Sequence, residues 1–286
     1  MKVAALRIHP LKGGRAIAVE RAQVGPLGLE GDRRWMTVDP AGRFVTQREL
    51  PALATLAATA AGPAALDLAQ GHETHAARAT GERMDATIWR STVSVARARE
   101  TDDAWLSERM SRDLRLVHFD ADSDRQTNQS FAPGGVVSLA DGYPVLIASE
   151  ASLLALNDDI VAAGGEAVPM DRFRPNIVIS GGKAWDEDSW SSIEIGDVVI
   201  DLVKPCDRCS VTTVAQDEGR FAGDEPLATL RRTRRSGDSS VLGFLFGWNA
   251  VARGRGTIAV GADVAVASRR APWPIGRTAT GRDLPF

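Results

Sequence analysis

Cysteine is almost absent from this 286-residue chain, which holds only Cys206 and Cys209. Two thiols are too few for a disulfide framework, a four-thiolate zinc site or an iron–sulfur cluster of the chain's own. No charge of one sign dominates: 34 Lys and Arg stand against 37 Asp and Glu, a net charge of −3. That balance excludes a general nucleic-acid binder, which carries a basic excess, and an acidic disordered chain. Long apolar runs are missing too. The longest uncharged stretch, Pro51 to Leu66, is mostly alanine, is broken by Gly62-Pro63 and is shorter than a membrane span, so none is expected. Arg7 interrupts the apolar start, so no secretory signal is expected and the cytoplasm, with free thiols, is the default location. What remains is ordinary for a globular protein: 44% apolar and 25% charged residues, in a length that suits one large or two smaller domains.

The patterning is mostly of strand type. Strands are expected at 3–8, 176–180, 193–203, 244–251 and 257–266, the third folded about a Gly196-Asp197 turn. Residues 34–38 and 43–46 flank the turn sequence Asp39-Pro40-Ala41-Gly42, which predicts a hairpin. Propensity favours a helix over 52–61, but Gly62-Pro63 followed by Ala65-Leu66-Asp67-Leu68 permits a hairpin, and the hairpin is preferred. Helices are expected after the acidic cap Thr101-Asp102-Asp103, from Ser149-Glu150 to a stop at Gly164-Gly165, and from Pro226. Helices do not alternate with strands, which argues against a doubly wound sheet and for β-barrels or sandwiches. A polar, unpatterned stretch at 120–135 suggests a boundary, and the Arg- and Pro-rich tail after Ser268 reads as irregular.

Both cysteines fall in Lys204-Pro205-Cys206-Asp207-Arg208-Cys209, between two expected strands. Lys204 and Arg208 would favour a thiolate there, and thiolates are soft ligands for transition metals. Four readings compete on these residues alone: a redox pair, a zinc site completed by His72 and His75, two buried small residues, and one thiolate on a cofactor metal. Four cations also stand at strand ends: Lys12, Arg33, Arg174 and Arg208. They could converge on a phosphate, with Gly13 and Gly14 admitting backbone N–H groups.

The segment Cys209-Ser210-Val211-Thr212-Thr213-Val214 resembles the signature of MOSC proteins, in the two-domain branch that includes the amidoxime-reducing components. The resemblance continues through Leu6 to Lys12, Asp32-Arg33-Arg34-Trp35, Thr46-Gln47-Arg48, Ser149 to Leu153, Phe173 to Gly181, Asp188-Ser189-Trp190 and Ile195-Gly196-Asp197. It covers residues 1 to about 268. It implies a mainly β (α+β) fold: an N-terminal β-barrel domain over 1–120, a MOSC β-barrel domain with a few helices over 121–268, and an irregular tail over 269–286. The cofactor site would lie between the two domains.

The resemblance also implies a molybdenum cofactor, Mo-molybdopterin. Cys209 would ligate the metal, while Lys12, Arg33, Arg174, Asn176 and Arg208 hold phosphate and pterin, and Cys206 plays no ligand role. The implied activity is reduction of small N-hydroxylated compounds from N–OH to N–H plus water. The electrons would come from a separate protein: a flavoprotein, ferredoxin or cytochrome. Asp141, in Ala140-Asp141-Gly142-Tyr143, is nominated as a catalytic residue of the pocket, and the proton donor is left open. The alternative function is a carrier of molybdenum cofactor or sulfur without turnover. Two positions depart from the branch: Gly13 and Asp207 replace serines, and a carboxylate at 207 would repel a phosphate unless it points away or pairs with Arg208. The stretch Arg231-Arg232-Thr233-Arg234-Arg235 could dock an acidic donor or form a solvated helix face.

Overall fold

A computed structural model describes residues 1–276. Its architecture is mainly β, organised in two principal sheets. The larger has eight strands in the order Val264–Arg269, Trp190–Ile195, Val198–Asp207, Leu245–Arg253, Val145–Ser149, Ile177–Ser180, Lys2–Ile8 and Ile17–Val19. The second has six, in the order Trp35–Val38, Arg115–His118, Ser91–Ala98, Glu73–Ile88, Ala65–Gln70 and Ala57–Gly62. A three-stranded sheet joins Gly256–Ala259, Arg21–Gly25 and Gly28–Leu29. The chain's first strands therefore complete the sheet built by its second half, with Leu6 opposite Ile177 and Val3 opposite Ile179.

Alternation explains the core. Val198, Ile200 and Leu202 face inward and pack with Ile193, Ile195, Trp248 and Ala250, each apolar side chain contributing roughly 1.5–3 kcal/mol when fully buried. The alternation breaks at Lys204. There the pairing with Leu245–Arg253 shifts register twice, between Leu202 and Lys204 and between Pro205 and Asp207. Bulges bend a strand and re-aim its side chains, and this bend carries Cys206.

The helix α1 spans Glu100–Met110. It begins before the expected cap: Asp102 lies inside it and accepts from the Arg99 backbone N–H at 3.1 Å, because a third-position carboxylate can reach back over the first turn. The helix α2, Glu150–Ala162, opens as expected on Ser149, whose Oγ accepts from the Ser152 N–H at 3.4 Å. It connects the one parallel strand pair among the described residues, Val145–Ser149 and Ile177–Ser180. The helix α3, Leu227–Thr233, follows Pro226. The preferred hairpin at 57–70 is present, after a 3₁₀ turn at Pro51–Thr55.

Several expectations are corrected. The single strand expected over 257–266 is two, split at Gly261 (φ 81°) and paired into different sheets. Residues 43–46 form backbone bonds to Asp39 and Thr37 but only two isolated bridges, Phe44 with Val38 and Arg43 with Thr87, not a strand. The 120–135 stretch lacks a strand yet is not loose. Buried Arg125 donates from Nη1 to the carbonyls of Ser138 and Ala140 and from Nη2 to that of Asp141. In the tail, Trp273 meets Trp248 edge-on at 5.9 Å. The rest of the expected irregular tail, 277–286, lies outside the described residues.

Candidate functional site

A cleft lined from both halves of the chain opens to solvent. Lys12, Arg33, Asp141, Arg174, Asn176, Arg208 and Cys209 all line it, with Cys206. The structure thus brings every nominated site residue together. Five cationic side chains face two carboxylates among the lining residues, Arg48 being the fifth cation.

Backbone bonds set the first wall. The Lys12 N–H donates to the Trp35 carbonyl at 2.7 Å, and the Arg33 N–H donates to that of His9 at 2.7 Å. Arg33 and Arg174 both adopt left-handed backbone, φ 49° and 54°. Such strain in residues with a Cβ costs about 1–3 kcal/mol each and collects at functional sites. Of the five non-glycine residues with positive φ among those described, Arg33, Arg174 and Trp89 line this cleft.

Arg33 is held from three sides. Its Nη1 donates to Asp32 Oδ2 at 2.6 Å and Asn176 Oδ1 at 3.2 Å, and its Nη2 to the Arg174 carbonyl at 3.2 Å. Asp32 is fully buried. Desolvation pushes its carboxyl up, but Arg33 first and then His9 prevail and hold it down at about 2. His9 is buried beside it, and burial first, then Arg174 and Arg33, keeps the ring neutral with a pKa of about 3. Arg174 donates from Nη1 to Gln216 Oε1 and from Nη2 to the Gly14 carbonyl, both at 2.8 Å. Burial, then Arg33, lowers its pKa to about 9, which leaves it cationic at neutral pH. Gln47 completes a bridge between the two halves, donating to the Gly13 carbonyl at 2.6 Å and exchanging bonds with Gln216 at 3.0 and 2.9 Å.

Asn176 is committed to the protein. Its Oδ1 accepts from the Leu146 N–H at 3.0 Å as well as from Arg33, and its Nδ2 donates to the Arg7 carbonyl at 3.2 Å. One Nδ2 hydrogen remains for a ligand. Lys12 Nζ reaches Asp141 Oδ1 at 2.6 Å. Burial lowers the Lys12 pKa, partly countered by Asp141. Desolvation raises the Asp141 pKa, but Lys12, Trp89 and Arg33 outweigh it and hold the carboxyl well below the usual range. The Asp141 side chain is nevertheless 71% exposed, so solvent screens the pair and moderates both effects.

The cysteine segment differs from its charge pattern. Arg208 donates to Cys206 Sγ at 2.8 Å and to the Phe173 carbonyl at 2.7 Å. Burial nevertheless raises the Cys206 pKa, outweighing Arg208 and Lys204, so the expected bias to thiolate is reversed at that residue. Asp207 pairs with Lys204, not Arg208. Cys209 is exposed in the cleft, ahead of the 3₁₀ turn Ser210–Thr213. The redox-pair reading loses the helix start it needs, since Cys206 lies in a strand. The zinc reading fails as well. His75 lies 2.7 Å from Asp102 and stacks on Trp105, and no metal-ready group of three or more His, Cys, Asp or Glu exists among the described residues. Arg234 of the basic stretch is buried on Asp188 at 2.6 Å and is not part of a solvated face.

Sequence reasoning missed Gln47, Gln216, Arg125, Trp89 and Tyr143. The one tyrosine of the chain lines the cleft with its Oη buried and without a partner. Arg208 Nε is likewise buried and unpartnered. Leaving such a group unsatisfied costs about 1–3 kcal/mol, and a polar ligand in the cleft would recover it.

The first 113 residues match the MOSC N-terminal beta barrel domain, and residues 134–265 match the MOSC domain. The chain is 32% identical over 284 residues to mitochondrial amidoxime-reducing component 1 of Homo sapiens, covering 91% of this chain and 81% of that protein. The chain belongs to the MOSC family. The Xenopus laevis component 1 is 31% identical over 256 residues, covering 84% of this MOSC chain and 73% of the relative. Component 2 of Bos taurus is 29% identical, covering 81% and 72%. No helix among the described residues of this MOSC protein is long and apolar enough to cross a membrane.

Proposed function

We propose that this MOSC protein is a molybdenum-cofactor reductase of N-hydroxylated compounds. The observation that carries the reading is the cleft, where an exposed thiol, Cys209, shares one wall-to-wall site with Lys12, Arg33, Arg174 and Arg208. The names of the relatives, amidoxime-reducing components, support the substrate class. The lining fits a phosphate-bearing pterin in three respects: a cationic excess, the buried unpartnered Tyr143 Oη and Arg208 Nε, and a soft metal ligand.

In this proposal the Cys209 thiolate would hold the metal. Lys12, Arg33, Arg174 and Arg208 would neutralise the phosphate, with Asn176 Oδ1 holding Arg33 in place. When bound, the cofactor supplies the two-electron chemistry. The net conversion is N–OH plus two electrons and two protons to N–H plus water. The proposed electron source is a separate protein, because the two thiols of this sequence are too few for an iron–sulfur cluster within it. The proposed units are 1–120 and 121–268, with the site between them and the cytoplasm as location. Organelle fractionation tests that location, because the relatives are mitochondrial by name.

Asp141 handles protons as half of a couple with Lys12. Lys12 holds it ionised, so the transferable proton resides on Lys12 Nζ, and Asp141 keeps it there by raising the Lys12 pKa. Turnover of an amidoxime with a reduced viologen dye as donor, followed across pH, tests both points. Wild-type protein is expected to reduce the amidoxime. Asp141→Asn removes the group that raises the Lys12 pKa, so the alkaline limb of kcat/KM moves to lower pH. An unmoved limb removes the couple. A loaded protein that binds cofactor and never turns over supports the carrier reading instead.

A further inference from the structure

Trp89 is the least explained residue of the cleft. It sits in the two-residue turn between Glu73–Ile88 and Ser91–Ala98, where Ile88 pairs with Ser91. Its φ of 55° is left-handed. Glycine or asparagine suits that backbone, and a bulky aromatic is an outlier that the surroundings must hold. Three contacts hold it. Nε1 donates to Asp141 Oδ1 at 3.2 Å, the Arg48 guanidinium lies 4.5 Å from the ring centroid, and Phe44 meets it at 5.1 Å and 59°. Thr46 Oγ1 in turn accepts from the Arg48 N–H at 3.2 Å.

Yet Trp89 is 49% exposed, and it lines the cleft that also contains Cys209 and Arg208. A core role would bury it, and an incidental surface role would not call for a strained turn and three anchors. The ring is a held, half-exposed π-surface among the residues lining the site. Stacking on such a surface discriminates by planarity and conjugation, not by hydrogen-bond pattern. Arg48, which lines the same cleft, lies over the ring and holds it.

We infer that Trp89 is a specificity-determining residue, a stacking platform that selects planar, conjugated N-hydroxylated substrates over saturated ones. The inference deepens the substrate class proposed above and rests on that reading. It is tested by binding alone, so its failure is separate from a failure of turnover. Benzamidoxime and acetamidoxime are titrated calorimetrically into wild-type, Trp89→Asn and Trp89→Phe proteins without an electron donor. Trp89→Asn removes the ring while suiting the left-handed turn, so the fold is retained. The ratio of the two dissociation constants is expected to shift about tenfold against benzamidoxime in Trp89→Asn. Trp89→Phe, which keeps a π-face, is expected to retain most of the preference. A ratio unchanged in Trp89→Asn overturns the inference, as does a loss in Trp89→Phe equal to that in Trp89→Asn.

Discussion

Cys209→Ser should empty the protein of molybdenum and abolish N-reductive turnover, while Cys206→Ser keeps both. The two thiols are three residues apart in sequence and line the same cleft, but their surroundings differ. Cys209 is exposed there, whereas Cys206 is partly covered and accepts a bond from Arg208. A serine at 209 replaces a soft, ionisable ligand by a hard, neutral one. Loss of even an outer-shell partner costs about 10–100-fold in metal affinity, so loss of the ligand should exceed that. A serine at 206 preserves an acceptor for Arg208. Metal content and turnover with a dye donor, measured on both variants, decide the matter. Equal loss in the two variants would return the pair to joint thiol chemistry, and full retention in Cys209→Ser would remove the metal-ligand role.

Asp32→Ala should be the most destabilising change in the cleft's support. The carboxylate is 1% exposed and is bonded at both oxygens, Oδ1 to the His9 N–H at 2.7 Å and Oδ2 to Arg33 at 2.6 Å. Its loss strands the mostly buried Arg33 guanidinium beside a second buried one at Arg174. Breaking a buried pair from one side costs about 3–5 kcal/mol. Part of that cost is titratable. The folded pKa, about 2, lies below the unfolded value of 3.8. The stabilisation is therefore complete above pH 3.8 and is lost as pH falls toward 2. Denaturant unfolding of wild type and variant at neutral pH and near pH 3 should show the gap narrowing on acidification. A difference below about 1 kcal/mol at neutral pH, the level of a solvent-exposed pair, would contradict the role assigned to Asp32.

The parts of the site legible in the sequence are those whose chemistry is local. Cys209 ahead of Ser-Val-Thr-Thr, and cations beside strand ends, can be read residue by residue, and Cys209, Lys12, Arg33, Arg174 and Arg208 all reach one cleft. The parts that were not legible depend on partners far along the chain. Gln47 and Gln216 are 169 positions apart, and neither means anything alone. Arg125 falls in a stretch whose composition suggests a linker, yet its guanidinium caps three carbonyls that shape the Asp141 loop. Trp89 follows a 16-residue strand that escaped notice because Arg, Glu and Thr alternate weakly with alanine, leaving no apolar period. The fold shows the same division. Helices with a clear cap, such as α2, stand where expected, while the pairing of the first strands into the second half's sheet has no local signal.

Molybdenum content tests the central claim most directly. Wild-type protein purified from a host that makes the cofactor should carry about one molybdenum per chain by mass spectrometric metal analysis, as a single cofactor on a single thiolate requires. Metal-free wild type from that host would contradict the account.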